Sequence, residues 1–191
     1  SNTGTISSHN VYINDTVRVS GAGAWSAVNV YVTNGGLMLM QSNVSISTSV
    51  SNLLQINSGG KIDMGGYILT LDGTSGSKFF RMNDGSVTGS LGNLNTLGNV
   101  TFDLLNTSSF IVRLKVVTGT TTVYSSNFPN VANFYGEILI DAPGTLNVLA
   151  GGYTILAHSN LVNNGIVSTG NTSGRVTISG PEFTNNGTIS A

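Results

Sequence analysis

Apolar and polar residues alternate in short runs along most of the chain, as in Val17-Arg18-Val19, Lys61-Ile62-Asp63-Met64, Thr101-Phe102-Asp103-Leu104 and Arg175-Val176-Thr177-Ile178. A period of two belongs to β-strands with one buried face. It predicts Ile62, Met64, Val176, Ile178 and, in Thr188-Ile189-Ser190, Ile189 inside, with Lys61, Asp63 and Arg175 outside. No segment of ten or more residues combines helical spacing with conventional caps. Clusters of Asn, Asp and Gly separate the runs and mark turns.

The runs recur in register. "NVYIND" (Asn10 to Asp15) is echoed by "NVYVTN" (Asn29 to Asn34), and "GGLMLM" (Gly35 to Met40) by "GGKIDM" (Gly59 to Met64). "INSGG" (Ile56 to Gly60) resembles "MNDGS" (Met82 to Ser86), and "VNNGIV" (Val162 to Val167) resembles "TNNGTI" (Thr184 to Ile189). Offsets of 19, 24, 26 and 22 residues with variable loops fit coils of a β-solenoid. The expectation is an all-β, single-stranded parallel β-helix of about eight coils, forming one domain over residues 1–191. Its repeats are clearest in 10–86 and 162–190. Residues 87–135 still read as strands, but their coils are not assignable from the pattern. A β-sandwich of the pilin-subunit kind is the alternative architecture.

Composition sharpens this picture. Gly (25 residues) and Asn (23) are abundant, whereas charged residues make up 8% of the chain against about 25% in an ordinary globular protein. Gly and Asn tolerate the positive φ that a solenoid corner needs, and stacked Asn side chains can bond along the axis. The net charge of −1 offers no basic stripe for nucleic acid. No apolar stretch approaches the length of a membrane span, so membrane insertion is not expected. Without Cys there are no disulfides and no thiolate metal sites.

The stretches "INSGGKIDMGGYILTLDG" and "FTNNGTIS" resemble the repeats of bacterial surface β-solenoids, the filamentous-haemagglutinin-like and autotransporter-like adhesins. The resemblance implies export, an extracellular or cell-surface location, and a role in adhesion or surface structure. It assigns no site residues.

Solenoids also host polysaccharide-active enzymes, so the acids were weighed. Asp63, Asp72 and Asp84, with Lys61 and Arg81 nearby, would make a carboxylate pair or calcium site if they converged on adjacent coils. Asp72 and Asp84 sit in "LDG" and "NDG" turns, which favours a structural role. His9 and His158 are isolated, without a second ligand nearby in sequence, and read as surface or loop residues. The sequence points to no catalytic residue, no cofactor and no metal. The six N-x-S/T sequons, at Asn14, Asn43, Asn99, Asn106, Asn171 and Asn186, are about what this composition yields by chance. The Thr run in "GTTTVY" (Gly119 to Tyr124) is too short for a flat threonine face. Neither Trp25 nor the tyrosines form an evident glycan-binding row.

Two features suggest self-association. Aligning "GGLMLM" with "GGKIDM" turns Leu37 and Leu39 outward, a possible lateral contact. The chain also opens on "SNTGTIS" (Ser1 to Ser7) and closes on "TNNGTIS" (Thr184 to Ser190). It is therefore either a segment of a longer array or a unit whose ends stack on copies of itself, and the second is expected. Gly4, Thr5, Ile6 and Ser7 of one copy would then meet Gly187, Thr188, Ile189 and Ser190 of another. The functional expectation is an extracellular filament or surface-fibre subunit, a homopolymer. Its alternatives are a module binding surface glycans and, more remotely, a polysaccharide-active enzyme.

Overall fold

The computed structural model describes residues 9–20, 29–47, 52–89, 91–105, 109–124, 131–149, 154–169 and 175–190. Among these there are strands and turns but no helix, and every strand pairing is parallel. The chain is a β-solenoid. A pattern in which each strand finds its partner one coil away, and not in the adjacent strand, excludes the hairpins of a sandwich.

Three faces can be followed level by level. The first runs from Asn10–Ile13 through Asn29–Val32 and Asn52–Asn57 to Thr188–Ser190. The second is an 8-stranded sheet, beginning at Thr16–Val19 and ending at Arg175–Ile178. The third runs from Val44–Ile46 to Phe183–Asn185. The long strands Ile68–Asn83 and Asn93–Leu105 bend through a corner and join the third face to the first in one 14-stranded sheet. Turns complete on all three faces are fewer than the eight expected, because the first level has described strands on two faces only.

All four sequence echoes are true level-to-level registers: Asn10 pairs with Asn29, Leu37 with Lys61, Ile56 with Met82, and Val162 with Thr184. The middle of the chain, unreadable as repeats, obeys the same scheme. Asn93–Leu105 lies parallel to Ile68–Asn83 on one side, and to Arg113–Val116 and Thr120–Tyr124 on the other.

Stacking makes columns of like-placed side chains, and the inward columns are the core. Val30, Leu54, Phe80, Phe102, Val123 and Val148 form one, and Val44, Leu69, Leu94, Leu114, Ile138 and Leu161 another. All are buried. Polar members of inward columns are paired: the hydroxyls of Thr96 and Thr121 bond to each other at 2.7 Å. Asn163, fully buried, donates to Asn185 Oδ1 (2.7 Å) and the Thr188 carbonyl (3.1 Å) and accepts from the Gly165 N–H. Pairing removes most of the penalty of burying these groups.

The corner between the third and first faces is lined by stacked glycines: Gly73, Gly98, Gly119, Gly144, Gly165 and Gly187. A Cβ on Gly165 would lie 2.2 Å from the Gly144 carbonyl oxygen, and one on Gly187 2.1 Å from that of Gly165. These oxygens are engaged, because Ile166 N–H donates to Gly144 and Thr188 N–H to Gly165. The levels are therefore too close at this corner for any side chain. Gly119 carries a second constraint, a φ of +72°. Gly119→Ala should cost at least about 2 kcal/mol from the left-handed backbone and the collision with Gly98 together. Urea denaturation checks this, and an unchanged midpoint would contradict the corner geometry.

One inward position on the first face is a lysine. Lys78 occupies the column continued by Val100, Thr121 and Leu146 and is 1% exposed. It donates to the Gly76 carbonyl. Burial pushes its ammonium below the ordinary value of 10.5, against the opposing attraction of Asp72. The unfolded chain then holds more protons between the depressed folded value and 10.5, so stability should rise with pH across that window. Lys78→Met should remove this slope, as read from urea unfolding of both proteins at a series of alkaline pH values.

Candidate functional site

The acids considered for chemistry do not meet. Asp63 ends a second-face strand and accepts the Gly65 N–H at 2.9 Å. Asp72 stands at the glycine corner and accepts the Thr74 N–H (3.0 Å) and hydroxyl (2.6 Å). Asp84 turns the corner between the first and second faces with a φ of +58°. They thus occupy three different corners, each in a turn role. Arg81 is paired with Asp103 at 3.0 Å, and Lys61 is exposed. Among the described residues no group of three His, Asp or Glu side chains is placed to hold a metal. The Thr run turns Thr121 into the core, so it makes no flat face. His9 is exposed.

Leu37 and Leu39 point outward as expected, with Met38 and Met40 buried beneath them. Both leucines are half-buried. Their column neighbours are Thr16 and Lys61 for Leu37, and Arg18 and Asp63 for Leu39. The apolar pair is thus confined to one level and continued by polar residues on either side.

The C-terminal end is different. Phe183 continues the inward column of Leu161, and Ile189 continues that of Val167, yet they are 43% and 55% exposed. Val176 and Ile178, inward on the second face, are only partly buried. With Leu161, Val167 and Thr169 these side chains line an apolar hollow of about 180 Å³. Burial expected for Ile189 from alternation is therefore not observed, because no described level lies above it. Thr188 and Ser190 are exposed as well. Among the described residues, Arg175–Ile178, Phe183–Asn185 and Thr188–Ser190 each have a partner strand on one side only. The end also closes two amide ladders, Asn163 to Asn185 and Asn186 to Asn164 (3.0 Å). At the other end, Ile13 and Val19 of the first described level are already buried. The proposed partner residues Gly4, Thr5, Ile6 and Ser7 lie outside the described residues.

A second feature, missed in sequence, runs along the flank where the second face turns into the third. Leu91, Ile111 and Tyr135 are stacked on consecutive levels and are 81%, 44% and 49% exposed. His158 follows in the same column, its ring parallel to that of Tyr135 with centroids 4.4 Å apart and its Nε2 3.0 Å from Asn133 Oδ1. Two residues on along the chain, a polar column of Asn93, Arg113 and Glu137 runs beside it. Between the columns lies an open groove of about 430 Å³, with Gly136 and Ser159 in its lining. Period-two reading could not reveal it, since its walls combine dissimilar residues.

Comparison with protein-family models, with curated proteins and with solved structures finds no match. Function therefore rests on the geometry.

With neither disulfide nor metal cluster in view, the fold should keep its melting temperature in EDTA and in reductant. A large loss in EDTA would restore a cation-binding role to the corner aspartates.

Proposed function

We propose that this chain is a structural subunit of an extracellular filament or surface fibre, in which the solenoid of one copy is continued by the next. The observation that carries the reading is the uncovered C-terminal level. Elsewhere the described inward columns are largely sealed, but here Phe183 and Ile189 leave apolar surface beside three strands with free edges. Soluble solenoids cover such an end, since bare edges recruit other strands. Head-to-tail covering by an identical unit gives an open filament when the operation does not close. Export and surface location are supported by the low charge, the Asn- and Gly-rich coils and the resemblance to surface solenoids.

Two registers are available to the joint. Matching the chain ends sets Gly4 over Gly187, Ile6 over Ile189 and Ser7 over Ser190. Counting through the first face instead, Asn10, Asn29, Leu53, Phe79, Thr101, Thr122, Asn147, Ser168 and Ser190 form one column. Uninterrupted continuation then sets Asn10, not Ser7, over Ser190. A three-residue bulge in the incoming corner, as where the segment from Gly73 to Lys78 faces Gly98 to Val100, would keep Gly4 over Gly187 in the second register but give up Ile6 over Ile189 and Ser7 over Ser190.

Because the chain has no cysteine, directed disulfides can read the joint. Stacked residues in adjacent parallel strands are close enough for a disulfide. The paired substitutions Ser7→Cys with Ser190→Cys, and Asn10→Cys with Ser190→Cys, should give one efficiently cross-linked polymer ladder between them and so name the register. Ile189→Asp places a carboxylate in the seam at a cost of several kcal/mol and should leave monomers in electron micrographs and sedimentation. A wild-type chain that stays monomeric at high concentration would overturn the reading and leave the end to a further coil of a longer polypeptide.

A further inference from the structure

We propose that the flank groove is a binding site for an uncharged linear oligosaccharide lying along the solenoid axis. The site is separate from the C-terminal end and does not depend on filament assembly.

The shape comes from the columns. On three consecutive levels the groove is lined by an apolar side chain and, two residues on, a polar one: Leu91 with Asn93, Ile111 with Arg113, and Tyr135 with Glu137. Levels repeat at about 4.8 Å, so the groove offers a periodic pair of walls to a periodic ligand. Gly136 is part of the lining, and a Cβ there would lie 2.0 Å from the Val112 carbonyl oxygen, so this position takes no side chain.

The chemistry narrows the ligand class. Arg113 Nε and Glu137 Oε2 are 2.5 Å apart, and their charges cancel within the lining. A groove with no net charge has little attraction for an anion or a cation. The pair is partly exposed, with side chains 47% and 25% accessible, so it contributes little to stability. It holds the other guanidinium nitrogens and the second carboxylate oxygen beside each other, a donor and acceptor set suited to neighbouring hydroxyls. A pyranose carries hydroxyls around its rim and C–H groups on its faces, which matches one polar and one apolar wall. An extended peptide fits poorly, because strand addition needs unpaired backbone. Here the backbone of the groove is already bonded between levels, Arg113 N–H to Gly92, Leu114 N–H to Glu137 and Ile138 N–H to Asn160. The volume of about 430 Å³ lies within the range of small-molecule sites.

Titration calorimetry of the whole chain against linear oligomers of glucose, xylose and N-acetylglucosamine, with oligogalacturonate and a polyglycine peptide as competitors in class, tests the assignment. At least one neutral oligomer should bind. Tyr135→Ala and Glu137→Gln should each weaken it by about tenfold without changing the melting temperature, while Tyr12→Ala, on the first face, should leave it unchanged. Titration should also shift the Tyr135 and His158 ring resonances. The proposal is overturned if no neutral oligomer binds, if the acidic oligomer or the peptide binds in preference, or if the Tyr135 and Glu137 variants bind as the wild type does.

Discussion

The backbone of one level lies almost in contact with the next at the glycine corner, and the rest of the solenoid is built around that approach. Gly119, Gly144 and Gly165 each offer a carbonyl to the level above, and a Cβ on Gly165 or Gly187 would press on the carbonyl of the glycine below. The column fixes the spacing on which the face ladders depend. With spacing fixed, every residue acquires a like-placed neighbour above and below, and the columns sort themselves into core and surface. Insertions are accommodated where they leave the column intact. The segment from Gly73 to Lys78 bulges against Gly98 to Val100, yet Gly73 and Gly98 remain in register.

Stacking explains how a chain with so few charges keeps polar groups inside. A polar residue in an inward column has its partner one level away or around the corner. Thr96 finds Thr121, and Asn163 finds Asn185. Lys78 is the charged member of the set, held by the Gly76 carbonyl and weakened as a base by burial. Outward columns follow the same geometry with less at stake. Asn10 is bonded by Asn29 at 2.8 Å, and the rings of Tyr12 and Tyr31 stack at 4.9 Å.

The two surfaces singled out use different parts of this architecture. The last described level exposes what a level normally gives to its neighbour, strand edges and apolar columns, and its proposed complement is another coil. The flank offers side chains, because its backbone is already paired, and its proposed complement is a ligand that reads side-chain chemistry. Assembly along the axis would leave the flank uncovered, and stacked subunits would repeat the groove along the fibre.

Some of this was legible in the sequence for a definite reason. Residues in a parallel stack pair with their own repeats, so echoes such as "GGLMLM" with "GGKIDM" were strand pairings written out, and alternation placed Met38, Ile62 and Met64 correctly in the core. The middle of the chain was opaque because a column demands volume and not identity: Lys78, Val100 and Thr121 are equivalent in space and unlike in composition. Tertiary structure alone decided that Asp63, Asp72 and Asp84 stand at three different corners, since small changes in loop length move a residue around the coil without altering its turn motif. It also decided that Ile189 is exposed. Alternation reports which way a side chain points, whereas burial requires a further level to point into. The groove had no sequence signal, because outward residues on successive levels are free to differ, and only stacking sets Leu91, Ile111 and Tyr135 in one line.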